Sequence, residues 1–322
     1  MKAAVVDRRG GVPEYRDVPD PRPAEGQAVL RVEAVAVENV DRAIVAGTHY
    51  TAAPFQAALP AVPCFDGVGR TVDGTLVGFG GLEPPQGALA EYVVVPEGHW
   101  APIPEGIAPE TAAALATAIT GMSMKTAANL QSGETVLVQG ATGVAGRLAV
   151  QTARLLGAGR VVATGRDAAA LASLAELGAH AVIDTNMSDE DLVRAYRDAA
   201  GDGYDVVVDF LWGRPTRVLC QALTPESFAI GRPVRLVQVG EAAGEAFELP
   251  ARALRTSGLE IYGAARNLMD GMADAYAQVV EWVRGGQLMI DVTTMPLRDI
   301  ATAWQRTDLR GSRLVIVPDH SA

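Results

Sequence analysis

From residue 135 onward the chain repeats one pattern: a short apolar run, a helix-forming segment, then another apolar run. The runs are Val136-Leu137-Val138 behind Thr135, Val161-Val162-Ala163 behind Arg160, Ala181-Val182-Ile183, Val206-Val207-Val208 behind Asp205, and Leu236-Val237 within residues 235–239. A strand that is apolar at every position has both faces buried, and helices on both sides of a sheet supply that cover. Strands alternating with helices predict a doubly wound parallel sheet, an α/β fold. Helices are expected at residues 144–156 and 171–177, and an alanine-rich one over residues 110–129.

The first strand-to-helix turn carries the most informative motif, Gln139-Gly140-Ala141-Thr142-Gly143-Val144-Ala145-Gly146. Glycines at this spacing are weak on their own, but a strand before them and a helix after them make the segment a dinucleotide-binding turn. Gly140 is expected to permit the tight turn, Gly143 to let backbone N–H groups approach a pyrophosphate, and Gly146 to let the helix pack close to the strand. The helix N-terminus then faces the phosphate charge.

The end of the second strand separates two cofactors. NAD sites place Asp or Glu there to accept hydrogen bonds from the ribose hydroxyls. This chain reads Thr164-Gly165-Arg166-Asp167, with no carboxylate ending the strand. Arg166 stands about 20 residues after Gly146, where a 2′-phosphate would lie. A guanidinium can grip that phosphate with two hydrogen bonds. The expected cofactor is therefore NADPH; the competing reading is a surface arginine paired with Asp167.

The first hundred residues read as β-rich. Val29 to Val35 alternates apolar and polar side chains over part of its length, with period 2. Prolines and glycines punctuate the region at residues 19–26 and 78–87, and Ala90 to Val95 forms another expected strand closed by Pro96. Residues 102–109 read as a linker. The tail from Asp291 to Pro318 reads strand, helix, strand, and periodicity leaves open which part of the chain it joins. A length of 322 residues accommodates two domains.

The formal charge of −11 repels phosphate backbones, and no basic stripe offsets it, so nucleic-acid binding is not expected. No apolar run approaches the ~18 residues of a membrane span. Asp7 follows Met1 too soon for a secretory leader, and a cytoplasmic location is expected. Two cysteines, Cys64 and Cys220, and four scattered histidines, His49, His99, His180 and His320, have no metal-ligand spacing, and no metal is expected.

Several further pieces stand in a recognisable order. They are Asn39-Val40-Asp41 with Gly47-Thr48-His49-Tyr50, Pro63-Cys64-Phe65-Asp66-Gly67-Val68-Gly69, Gly87-Ala88-Leu89-Ala90-Glu91-Tyr92, Ser132-Gly133-Glu134-Thr135, and the ending Gly311-Ser312-Arg313-Leu314-Val315. With the glycine turn, they resemble the medium-chain dehydrogenase/reductase superfamily, and within it the zinc-independent quinone oxidoreductase branch that includes the zeta-crystallins. Zinc-dependent relatives carry Gly-His-Glu where this chain has Cys64-Phe65-Asp66, and a cysteine ligand where Glu38 stands. The resemblance implies a GroES-like β-barrel domain over residues 1–112 and 290–322, a Rossmann NADP(H)-binding domain over 113–289, and a nicotinamide held in the cleft between them. It also implies nicotinamide contacts at Thr120, Ser123, Gly240 and Glu241. Two departures weaken inherited contacts: many members have Asn near Glu38, and many have Tyr where Thr185 stands.

Without a Lewis acid, reduction of a quinone or an α,β-unsaturated carbonyl is the expected reaction. The developing oxyanion then needs only hydrogen bonds and a proton. Tyr50 is the candidate to touch that oxygen through its phenol, or else a loop tyrosine packed at a domain edge. Asp41 either orients the site or caps a helix that follows it. The alternatives are an enoyl-thioester reductase acting on a carrier-bound substrate and a non-enzymatic NADPH-binding protein. Finally, residues 258–264 read as a short strand late in the sheet with Glu260 its only charge. An unprotected edge of this kind predicts a homodimer in which the strand meets its own copy.

Overall fold

A computed structural model describes residues 1–227 and 229–319; His320 lies outside them. The chain divides into two compact units, Met1–Leu115 with Ile290–Ala322, and Ala116–Met289.

The strands, in chain order, are β1 (Lys2–Val5), β2 (Glu14–Asp17), β3 (Gln27–Ala36), β4 (Gly67–Arg70), β5 (Leu76–Phe79), β6 (Tyr92–Pro96), β7 (Trp100–Pro102), β8 (Thr135–Gln139), β9 (Arg160–Gly165), β10 (Ala181–Asp184), β11 (Val206–Asp209), β12 (Val234–Gln238), β13 (Leu259–Gly263), β14 (Val292–Pro296) and β15 (Arg313–Val317). In the first unit β1 and β2 form a hairpin-like pair, and β14-β15-β3-β4-β5-β7 form a sheet in that order, with β6 also on β3. The C-terminal tail therefore completes the N-terminal sheet: Val315 and Ile316 pair antiparallel with Ala36 and Val35. Leu30, Val32, Val35, Phe79, Val95, Leu314 and Ile316 meet in one core. The alternation expected in β3 holds from Leu30 to Ala34 and then stops, because the register shifts between Val32 and Ala34 and the strand is buried beyond that point. A bulge of this kind turns consecutive side chains the same way.

The second unit is a six-stranded sheet of order β10-β9-β8-β11-β12-β13, every pair parallel. Successive strand residues serve opposite faces. Val136, Val138, Val161 and Ala163 pack beneath Ala149, Val150 and Leu171 on one side. Leu137, Val162, Val207 and Leu236 pack against Tyr196, Val218 and Leu219 on the other. Both faces are covered, and this is why the strands are apolar throughout. The helix Val144–Leu155 follows β8, and Asp189–Ala200 starts at Ser188, whose hydroxyl accepts the Asp191 N–H at 3.2 Å.

Three local expectations are corrected. The alanine-rich helix is broken into Pro109–Ala113, Leu115–Ile119, a 3-10 turn Thr120–Met122, and Ser123–Thr126. β-branched Thr117, Ile119 and Thr120 hold a helix weakly, and Gly121 is pressed against the next helix, where a Cβ would lie 3.1 Å from Thr152 Oγ1. Residues 102–109 do not separate the units; they lie inside the first one, and the division falls at Leu115. The helix expected at 171–177 runs instead over Ala168–Ser173, because Asp167 caps it by accepting the Ala170 N–H at 3.0 Å.

Candidate active site

In the second unit, the sheet order reverses direction between β8 and β11. Crevices outside the carboxyl ends of strands at such a switch point are where open α/β sheets bind ligands. The glycine turn is built there. Gly140 adopts φ +80°, a left-handed value open to glycine, and its N–H donates to Thr164 Oγ1 at 3.1 Å. Ala141 is buried and its N–H donates to the Thr164 carbonyl at 2.8 Å. A Cβ at Gly146 would lie 2.2 Å from the Gly140 carbonyl oxygen, so the helix reaches the turn at a distance that excludes any side chain.

The turn leaves backbone donors exposed at the helix start. Gly143 is the helix N-cap and offers no side-chain cap. The N–H groups of Val144, Ala145 and Gly146 have no acceptor among the described residues. A Cβ at exposed Gly143 would have only one neighbour, the Gly140 oxygen at 3.7 Å. These three donors stand at the positive end of a 12-residue helix, where the dipole favours an anion. Thr142, beside them, is half-buried against Gly165.

The expected cofactor residues divide by position. Arg166 is exposed just beyond β9, and its guanidinium has no hydrogen-bond or ion-pair partner among the described residues. Its carbonyl accepts Asn186 Nδ2 at 2.7 Å, which anchors the backbone. Thr164 is fully buried with its hydroxyl committed to Gly140, and it braces the turn from beneath. Thr185 is similarly spent, its hydroxyl donating to the Gly165 carbonyl at 3.1 Å. Gly240 is tied down by its N–H to the Asp209 carbonyl at 3.1 Å, while Glu241 is exposed. Thr120 donates its hydroxyl to the Thr117 carbonyl at 2.7 Å, and Ser123 is buried with its hydroxyl unpartnered among the described residues.

Sequence reasoning missed Asp209, at the end of β11. Its side chain is fully buried and accepts the Leu211 and Trp212 N–H groups at 2.9 and 3.0 Å and the Thr216 hydroxyl at 2.5 Å. Burial raises its pKa, and these hydrogen bonds work against that rise. Thr216 in turn accepts from Gln139, whose side-chain oxygen accepts the Tyr196 hydroxyl at 2.7 Å. The network shapes the loop at residues 210–213, and Leu211 packs over Gly140. A carboxylate closing the Val206-Val207-Val208 run, level with the glycine turn, was the available signal.

In the first unit, Asp41 lines a cavity of about 440 Å³ with Ile44, Phe55, Val62, Cys64 and Leu82. The helix spans Asn39–Ala46, and Asp41 caps it from within its first turn: in a capping box with Glu38, its Oδ2 accepts the Glu38 N–H at 2.7 Å. Cys64 is buried with φ +67°. Phe65, where the resemblance places a metal-ligating histidine, is 40% exposed. Among the described residues, no group of three or more His, Cys, Asp and Glu side chains is arranged to hold a metal ion. Tyr50 is 89% exposed, stacked on His49 at 4.3 Å, and does not line the cavity.

Comparison with known proteins adds the family. The family model described as zinc-binding dehydrogenase matches residues 145–284. The chain is 30% identical to a probable NADPH-dependent quinone reductase of Emericella nidulans, over 99% of this chain and 100% of that one. It is 33% identical to a 2-methylene-furan-3-one reductase of Solanum lycopersicum, over 66% of this chain and 58% of that one. Among solved structures, the quinone oxidoreductase of Thermus thermophilus, crystallised also in complex with NADPH, superposes with a TM-score of 0.77. It is 32% identical, over 98% of this chain and 100% of that one.

Proposed function

Because the chain belongs to the quinone oxidoreductase branch of the medium-chain dehydrogenase/reductase superfamily, we propose that it reduces a quinone or an α,β-unsaturated carbonyl with NADPH and without a metal ion. The observation that carries this reading is that the Val144, Ala145 and Gly146 N–H groups at the helix start, and the Arg166 guanidinium beyond the next strand, have no partner among the described residues. Bound there, NADPH supplies a hydride.

The protein's own residues do the rest. The helix N-terminus and its free donors hold the pyrophosphate, and Arg166 takes the 2′-phosphate. Thr164 and Asp209 hold the two strand-end loops in shape, Gly165 lets Thr142 pack close, and Gly240 and Glu241 form the turn after β12. Thr120 and Ser123 are proposed to border the nicotinamide, with the unpartnered Ser123 hydroxyl available to it. On the acceptor side, Asp41 is proposed to meet the substrate oxygen, and exposed Tyr50 to reach it from the loop. Phe65 at a ligand position supports the metal-free reading. The exposed edge strand β13, with Glu260 and Ile261 facing solvent, supports a homodimer through residues 258–264.

A panel of quinones and enones, each followed by loss of NADPH absorbance, tests the proposal. Turnover with at least one class is expected. Tight NADPH binding with no turnover across the panel would point to a binding protein instead.

A further inference from the structure

The Arg166 guanidinium is exposed, but the Arg166 backbone is pinned. Asn186 Nδ2 donates to the Arg166 carbonyl at 2.7 Å. Asn186 stands in the loop between β10 and the helix Asp189–Ala200. Thr185, beside it, ties the same loop to the end of β9: its N–H and its hydroxyl donate to the Gly165 carbonyl at 2.9 and 3.1 Å. The Asn186 N–H turns back to Asp184 Oδ1 at 2.9 Å, which fixes the turn locally.

Arg214 holds the other side of this loop. Its Nε donates to Asp189 Oδ1 at 2.8 Å, its Nη1 to the Thr185 carbonyl at 2.9 Å and its Nη2 to the Met187 carbonyl at 2.7 Å. A planar guanidinium aims its donors in fixed directions and can clasp all three acceptors at once, whereas an ammonium donates from a single point. Arg217, one helical turn later, donates to Asp189 Oδ2 at 2.5 Å, so that carboxylate is held from both sides.

Arg214 is itself set by a rigid turn. It follows Gly213, the first residue of the helix Gly213–Leu223. Gly213 has φ +57°, and a Cβ there would lie 2.4 Å from the Ala243 carbonyl oxygen. Trp212 before it has φ +55°, a value that side-chain-bearing residues seldom take, and its N–H is held by buried Asp209 at 3.0 Å. Such a conformation persists only where its surroundings over-determine it. Hydrogen bonds therefore run from Asp209 at the end of β11 to the turn before Arg214, from Arg214 to the loop after β10, and from Asn186 to the Arg166 backbone. All of these residues lie in the second unit.

We infer that Arg214 and Asn186 are positioning residues for cofactor choice: they hold the Arg166 backbone so that its guanidinium meets a 2′-phosphate at a fixed place. Arg214 does not receive the phosphate, since its three nitrogens are committed to the loop. Arg166 is long and free at its head, and an unpinned backbone would add to the freedom it loses on binding. A charged group is selective only when the groups beneath it hold it in place. NADH has a hydroxyl where NADPH has the phosphate, so its binding does not draw on this support. The inference rests on the reading of Arg166 as the residue that takes the 2′-phosphate.

The test is calorimetric titration of NADPH and NADH into the full chain, with the ratio of the two Kd values as the readout. A residue that only supports the fold weakens both nucleotides alike, whereas a positioning residue lowers the ratio. Asn186→Ala trims an exposed side chain and should lower the NADPH preference by roughly fivefold, the effect of one hydrogen bond, with the NADH Kd nearly unchanged. Arg214→Leu should lower it too, while Asp189 keeps Arg217 as its partner. Arg214→Lys retains the charge but cannot clasp three acceptors, and should behave like Arg214→Leu. In an Arg166→Ala background, Asn186→Ala should not change the ratio further, because its effect passes through Arg166.

Equal weakening of both nucleotides by Asn186→Ala would overturn the inference. So would full NADPH preference in Arg214→Lys, which would make charge and not the clasp the cause, or additive losses in the double variant. If Arg166→Ala leaves the preference intact, the reading of Arg166 fails and this inference with it. If Arg166→Ala removes the preference while Asn186→Ala and Arg214→Lys keep it, the inference alone fails.

Discussion

Replacing Arg166 with alanine removes a side chain and little else. The residue 166 carbonyl still accepts Asn186 Nδ2, Asp167 still caps the next helix, and Thr164 still braces Gly140. The guanidinium has no partner among the described residues to leave unpaired, so the loss is confined to whatever it does for a ligand. A hydrogen bond to a charged group contributes about 1.5–3 kcal/mol. Arg166 is exposed, and water screens exposed charge pairs, which places the effect near the lower end. About 1.5 kcal/mol is a rise of roughly tenfold in the NADPH Kd. NADH lacks the 2′-phosphate and should change little. Calorimetric titration of both nucleotides into both proteins, at low and high salt, reads this directly. The NADPH preference of the natural protein should shrink with salt, and in the variant it should nearly vanish. Equal affinity of the natural protein for NADPH and NADH, or equal loss of both in the variant, would refute the reasoning.

Gly146→Ala places a Cβ 2.2 Å from the Gly140 oxygen, so the helix must shift. Overpacking of this kind costs about 1–3 kcal/mol, which should appear as a lower Tm together with weakened binding of both nucleotides. Ile261→Pro removes a backbone donor from the edge strand β13, and sedimentation should show the natural protein as a dimer and the variant dissociating more readily. A natural protein that is monomeric at micromolar concentration would rule the edge-paired dimer out. Elemental analysis should find no stoichiometric zinc, and chelators should leave NADPH turnover unchanged; loss of activity on chelation would contradict the metal-free reading.

Much of the nucleotide-binding unit is legible along the chain because its signals are local. Val136-Leu137-Val138 is apolar at every position, and a run of that kind reports burial on both faces wherever it ends up. The glycines at 140, 143 and 146 likewise report backbone needs of a single turn. Asp209 was not legible in the same way. A carboxylate at the end of β11 looks like any strand-terminal acid until the chain folds it onto Leu211, Trp212 and Thr216. The broken helix after Pro109 was missed because alanine content favours a helix locally, whereas Gly121 meets Thr152 only through packing.

The substrate side shows the same division more sharply. By itself the sequence determined that the N-terminal region is strand-rich, and the family resemblance then set Phe65 where zinc-dependent relatives carry a ligand. It could not decide by periodicity where the C-terminal tail goes. The tertiary structure did that, bringing Arg313 to the Val37 carbonyl across 276 residues of chain. The same folding buried Asp41 against Cys64 and Asp66. Periodicity and turn chemistry act over a few residues, so they are written in the sequence. The burial and charge environment of a carboxyl depend on segments remote along the chain, and only the packed fold assembles them.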